Sequence, residues 1–173
     1  MKQIYCAEGT TCSIYPLEQR KIFKNITGSI GGFVIVLIIL LVNIFIVEPA
    51  TLKITLDIFM AAFSLFLVAT IVQAVLYYKY YFYNIEEDNI IIMKGIISRA
   101  QTTIPYNKIQ NVFIDQDFLD RILGLYDVHM ATADFQSALM AHIDGVSLEG
   151  ANQIKALLLD NMKRKQSNNN QGV

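Results

Sequence analysis

Two long apolar runs, followed by a series of short alternating ones, divide the chain. Residues 29–47 read SIGGFVIVLIILLVNIFIV and residues 56–77 read LDIFMAAFSLFLVATIVQAVLY, with Asp57 the one charge in either. At a helical rise of about 1.5 Å per residue, each run crosses roughly 30 Å of hydrocarbon. Two buried core helices of that length would need a larger surrounding domain than the remaining residues supply. The pattern therefore predicts a transmembrane helical hairpin over residues 28–78, with spans at about 29–47 and 56–77. Its connector, EPATLKIT, is short enough to force antiparallel neighbours.

From residue 79 to 165 the period drops to two. YYFYNI, NIIIMKG, ISRAQTTIPY, KIQNVFIDQ, YDVHMATA and SALMAHIDGV are rich in β-branched and aromatic residues and are separated by turn residues. Six short strands in succession predict an antiparallel sandwich or barrel. In YDVHMATA, Tyr126, Val128, Met130 and Thr132 share one face, with Asp127 and His129 on the other. Two helical patterns interrupt this region. In the first, Asp117 can cap FLDRILGL, Gly124 can end it, and Phe118, Leu119, Ile122 and Leu123 give it an apolar side expected to plug or corner the sheet. The second, SLEGANQIKALLLDNMKRK, carries Ala151, Ile154, Leu158 and Met162 at helical spacing, a stripe suited to closing the open end of a barrel. The leader, residues 1–27, is polar, and the tail QSNNNQGV, residues 166–173, is polar and aperiodic and is expected to be disordered.

Composition and charge refine this picture. Of the 173 residues, 54% are hydrophobic and 17% charged, a balance fitted to a membrane protein. Arg20, Lys21 and Lys24 precede the first run and Lys79 follows the second, whereas the connector offers Lys53 alone. The positive-inside bias predicts a multi-pass cell-membrane protein with both termini cytoplasmic. Cys6 and Cys12 would then be reduced thiols, and C-x5-C is poor zinc spacing. Gly28 and Gly32 form a G-x-x-x-G pair, and Asn43 and Gln73 are amides in an apolar setting; all four are candidate intramembrane contacts that favour a partner subunit.

One stretch, GIISRAQTTIPYNKIQNVFIDQDFLDRILGLYDVHMATA, resembles the bacterial pleckstrin-homology-like (PH) domain family. The pattern is a strand ending in Gly95, then Ile104 with Pro105, then Ile109 to Val112, then a short helix with Leu119, Arg121 and Gly124, then a strand. Ala133 and Asp134 stand where the family pattern often has glycine. A preceding pair of transmembrane helices is also similar to small members. The resemblance implies an α+β membrane protein: a hairpin followed by a PH-like barrel of two near-orthogonal antiparallel sheets with a C-terminal capping helix. It implies structural roles for Gly95, Pro105, Arg121 and Gly124, and no catalytic residues.

Meander connections should return KGIISR and FLDRILGL toward the membrane end and send IEEDN away from it. Lys94 and Arg99 flank Ile96 and Ile97, a combination that suits an anionic leaflet, so these four are candidate membrane contacts. Beyond residue 80, acids outnumber bases eleven to eight. That excess argues against nucleic acid, and Glu86, Glu87 and Asp88 in the first hairpin argue against headgroup capture there. His129, His142 and Asp134 are the only side chains an enzyme could use, and nothing in their spacing supplies a nucleophile with its base or a metal set. No catalytic, metal or cofactor site is expected. The partners expected are membrane lipid and a protein, either foreign or a second copy. An interaction module is therefore favoured over an anionic-lipid sensor, and both over a membrane-bound hydrolase.

Overall fold

The computed structural model describes residues 3–43, 49–133 and 140–171. They form two compact units, one of Ile22–Leu76 and one of Met1–Lys21 together with Tyr77–Val173. In chain order the elements are helices α1 (Thr11–Ile14), α2 (Arg20–Asn43) and α3 (Pro49–Tyr80), then strands β1 (Phe82–Ile85), β2 (Asn89–Lys94) and β3 (Ala100–Pro105). A 3-10 turn at Tyr106–Lys108 leads into β4 (Ile109–Asp115), α4 (Phe118–Leu123), β5 (Tyr126–Thr132), β6 (His142–Val146) and α5 (Leu148–Gln171).

In the helical unit, Phe33 of α2 packs between the rings of Phe59, Phe63 and Phe66 of α3, with centroids 5.5, 4.3 and 5.2 Å away. The outer surface is apolar, with Leu65 72% exposed and Ile58 and Val68 also open. Among the described residues one helix is long and apolar enough to cross a membrane, Lys53–Tyr80, where the sequence predicts two. The first predicted span runs on into residues 44–47, which lie outside the described residues. Both helices also begin earlier than predicted, at Arg20 and Pro49, because polar residues at a helix end can remain helical while facing water. A Cβ on Gly28 would meet nothing within 4 Å, and Gln73 is exposed. Side chains at positions 32 and 43 lie outside the described residues.

The second unit carries two three-stranded antiparallel sheets, ordered β1-β2-β3 and β4-β5-β6. All six predicted strands form, each trimmed at its ends. Alternation decides their faces: Ile90, Ile92 and Lys94 of β2 point inward and are buried. On β5, Val128 and Met130 point into the core. The α5 helix lies on β4, β5 and the 3-10 turn, burying Ala151, Ile154, Leu158 and Met162, the stripe its periodicity marks out. Residues 166–171, expected in a disordered tail, continue this helix. Once a helix is nucleated, each further residue adds a hydrogen bond for the freedom it loses.

The leader is not a separate segment. It runs along the outer edge of β1 and satisfies groups that an edge strand leaves open. Thr11 Oγ1 accepts from Ile85 N–H at 3.0 Å, Gln3 Nε2 donates to Tyr81 O at 3.1 Å, and Ile4 N–H donates to Lys79 O at 2.9 Å. The Tyr83 hydroxyl donates to Tyr15 O. Within the leader Cys6 and Cys12 form a disulfide, with Cα atoms 5.7 Å apart, in place of the expected free thiols. The turn before α1 brings them within bridging distance, which spacing alone did not indicate.

Candidate functional site

The most concentrated chemistry lies where the chain enters and leaves this unit. Alternation on β6 aims Asp144 and His142 to one face, and alternation on β2 aims Lys94 toward them. Lys21, at the start of α2, completes the group. Its Nζ lies 3.0 Å from Asp144 Oδ2, and it also donates to Asp144 O at 3.1 Å. Lys94 Nζ is 3.7 Å from the same Oδ2, and His142 Nε2 is 3.0 Å from Oδ1. The ring of Tyr81, the residue between α3 and β1, lies under both ammonium groups at 4.6 and 5.6 Å, and its hydroxyl donates to His142 O at 3.0 Å. Gly145, at φ +70°, lets the Lys21 stem lie against the strand; a Cβ there would stand 2.8 Å from Lys21 Cδ.

Burial and charge compete in this cluster. Burial would raise the Asp144 pKa, but Lys21, Lys94 and His142 outweigh it and hold the carboxyl down to about 2. Burial pushes Lys94 down to about 8 against the pull of Asp144, with Lys21 adding to the fall. One carboxylate thus serves two ammonium groups, and the one without a hydrogen bond loses. Burial likewise pushes His142 down to about 4, opposed by Asp144 and reinforced by Lys94, so near neutral pH the imidazole is uncharged. Every group faces another member of the cluster. The arrangement fastens the leader, sheet β1-β2-β3 and sheet β4-β5-β6 together, with Lys21 and Lys94 on one Asp144 oxygen and His142 on the other.

Lys94, one of the four candidate membrane contacts, instead has its side chain 7% exposed and turned to Asp144. The cause is period two, which continues the inward face of Ile90 and Ile92. Its three companions differ. Ile97 is 100% exposed at the tip of the β2–β3 loop, Ile96 is half-buried, and Arg99 is exposed. The Arg99 guanidinium lies between the rings of Tyr5 and Tyr80, 5.3 and 4.8 Å from their centroids, so the loop sits beside the last residue of α3.

The α4 helix forms as its residues direct. Asp117 caps it in a reciprocal box with Asp120, and Gly124 ends it in the left-handed region. Its role differs from the plug expected, because Phe118 is 77% and Ile122 65% exposed. The buried group is Asp120, whose side chain closes the capping box. Pro105, at the end of β3, opens the 3-10 turn.

His129 lies between the rings of Phe113 and His142, at 5.2 and 5.3 Å, with Nε2 3.5 Å from Asp115. Ligand atoms of Asp115, Asp127 and His129 fall within 4.8 Å of one another, a grouping the sequence analysis did not anticipate because Asp115 comes from a different strand. Asp127 Oδ1 accepts from Gly145 N–H at 2.6 Å, a structural role at the β5–β6 bulge. Asp134 lies outside the described residues. The Lys21, Asp144 and Tyr81 partnership also went unanticipated, and the signal for it was the single charged position at an inward place on β2.

Two small antiparallel sheets backed by a C-terminal helix, with charged groups fastening the sheets, define a PH-like fold. The bacterial PH domain family matches the chain over residues 26–162, and the chain belongs to that family. The match begins inside α2, so most of α2 and all of α3 lie within the matched residues. Among curated proteins and among solved structures nothing matches. PH domains are generally non-catalytic modules that bind lipids or proteins.

Proposed function

We propose that the protein is a membrane-anchored interaction module: α2 and α3 form a transmembrane hairpin, and the PH-like domain works at the cytoplasmic face as a subunit of a homo- or hetero-oligomeric complex. The observation that carries this is the direct passage from an apolar helix ending at Tyr80 to a strand beginning at Phe82, with an arginine and an exposed isoleucine beside the junction. Such a domain cannot leave the surface, so its affinity for lipid need not hold it there. Ile97 and Arg99 are the leaflet contacts, an aliphatic tip with a cation behind it. The open surface at Gly28 and the exposed Gln73 favour a second copy or a partner helix against α2 and α3. Mild-detergent purification of the full chain should recover a stable complex. Release of the chain from membranes by alkaline carbonate would overturn the anchoring.

One observation favours the opposite orientation. Disulfides persist in oxidising compartments, so the Cys6–Cys12 bond favours a leader outside the cytoplasm. A single cysteine at exposed Glu87, in a chain with Cys6 and Cys12 replaced by serine, decides between the two. Protection from a membrane-impermeant maleimide in intact cells supports the cytoplasmic placement, and labelling reverses it.

A further inference from the structure

We propose that α4 is a second membrane-contacting element, with Phe118 and Ile122 entering the interfacial zone of an anionic leaflet and Arg121 held at its headgroups; this rests on the anchored reading above. Phe118 and Ile122 are four residues apart and Arg121 lies beside them, so the three share one face of the helix. That face is open: all three side chains are exposed, the two apolar ones at 77% and 65%. A helix this small gains nothing in water from presenting a phenylalanine and an isoleucine together, and an apolar pair with an arginine is the composition of an interfacial contact.

The position of α4 identifies lipid as the occupant. Its carboxyl end is tied to the start of α2, since Arg20 Nη1 donates to Leu123 O at 3.1 Å. The adjacent Lys21 places its Nζ 5.6 Å from the ring centroid of Tyr77. Tyr77 and Tyr80 lie in the last turn of the apolar helix, where tyrosines gather at a membrane–water boundary, while Tyr78 is buried and donates to Leu17 O. The end of α4 is thereby held at the level of that aromatic belt. The same belt holds the other exposed tip, because Arg99, two residues from Ile97, stacks on Tyr80. Two apolar tips, each accompanied by an arginine, thus lie at the end of the domain where the chain enters and leaves it. Asp117 and Asp120, the acids on α4, are engaged in its cap.

The chain contains no tryptophan, so single tryptophans report cleanly. The full chain would be reconstituted into vesicles of phosphatidylcholine and phosphatidylglycerol, with and without brominated acyl chains. Phe118→Trp and Ile122→Trp should show blue-shifted emission quenched at least about twofold by bromolipid, while Glu87→Trp in the far turn stays unquenched. Adding Arg121→Glu to Phe118→Trp should reduce that quenching in anionic vesicles. Leu65→Trp, in the middle of α3, reports on the anchor itself. If Leu65→Trp is quenched and the α4 tryptophans are not, the anchor stands and the inference is overturned. If Leu65→Trp is also unquenched, the anchored reading fails first. A blue shift at position 118 that persists unquenched would mean a protein surface covers α4, and would equally overturn the inference.

Discussion

Replacing Asp144 by asparagine tests whether the charged cluster holds the domain together. The carboxylate is 16% exposed and faces Lys21 and Lys94, whose side chains are 4% and 7% exposed. Its pKa falls from 3.8 to about 2, which corresponds to about 2–3 kcal/mol of stability. The sign follows from the depressed folded value: this stability is present above about pH 4 and is lost as pH falls through about 2. Asparagine removes it at every pH and leaves two ammonium groups facing each other, and breaking a buried pair in this way costs about 3–5 kcal/mol. For a domain of this size that lowers the unfolding midpoint by roughly 10–20 °C. The assay is thermal unfolding of the full chain in detergent, followed by the near-ultraviolet circular dichroism of its tyrosines, among which Tyr81 sits in the cluster. The companion measurement is a cycle with Lys94→Met. In the parent, Lys94→Met should cost less than about 1 kcal/mol, because Lys94 gives up solvation for a single ion pair. In the Asp144→Asn background it should recover stability by removing one of two unneutralised charges. A loss below about 1 kcal/mol for Asp144→Asn, or a Lys94→Met change that makes Asp144→Asn worse, would refute the reasoning.

Three further expectations concern single features of the same unit. Gly95 has φ +108° and a Cβ there would overlap the Ser98 carbonyl, so Gly95→Ala should lower unfolding stability by at least ~2 kcal/mol and disorder the Ile97 tip, read by hydrogen exchange of residues 95–99. His142 is pushed from 6.5 to about 4, so the folded state resists its protonation and stability should rise with pH between about 4 and 6.5; His142→Gln should flatten that rise in a pH series of unfolding midpoints. Reducing Cys6–Cys12, or replacing both by serine, should cost on the order of 2 kcal/mol for so short a loop and speed amide exchange along Thr11–Tyr15, while unchanged exchange would mean that the leader holds β1 without the bond.

The strands, the α4 cap and the α5 stripe were legible because each rests on neighbours within a few residues. Ile90 and Ile92 announce β2, Asp117 and Gly124 bracket α4, and Ile154 and Leu158 mark the buried side of α5. Lys94 shows where that locality ends. Its proximity in sequence to Ile96, Ile97 and Arg99 suggested a common surface, yet the inward register of β2 carries it away from them. What makes its burial tolerable is Asp144, 50 residues on, with Lys21, 73 residues back, competing for the same carboxylate. No local pattern encodes either. For α4 the periodicity defined an apolar face without saying what it meets, and a face built for a core and one built for a bilayer look alike in sequence. The packing of the leader was not legible for a related reason. Its polar residues show no period, and only the fold brings Thr11 to Ile85 N–H, Gln3 to Tyr81 O and Tyr15 O to the Tyr83 hydroxyl.

The same contacts bear on how such a module could act. Arg20 and Lys21 bring the chain in and Tyr81 leads it out, and all three are fastened to the domain, at Leu123 O, Asp144 and His142 O. A flexible linker would let a tethered domain sample many orientations, and each would have to be given up on binding. Here one residue separates α3 from β1, and Arg20, Lys21 and Tyr81 bond to residues of α4 and β6. Under the proposed anchoring, Ile97, Phe118 and Ile122 are the apolar tips offered to the leaflet. The β1–β2 turn, with Glu86, Glu87 and Asp88 exposed, would be repelled by an anionic surface. Under the same proposal that acidic turn is left to meet a protein partner while the apolar tips remain with lipid.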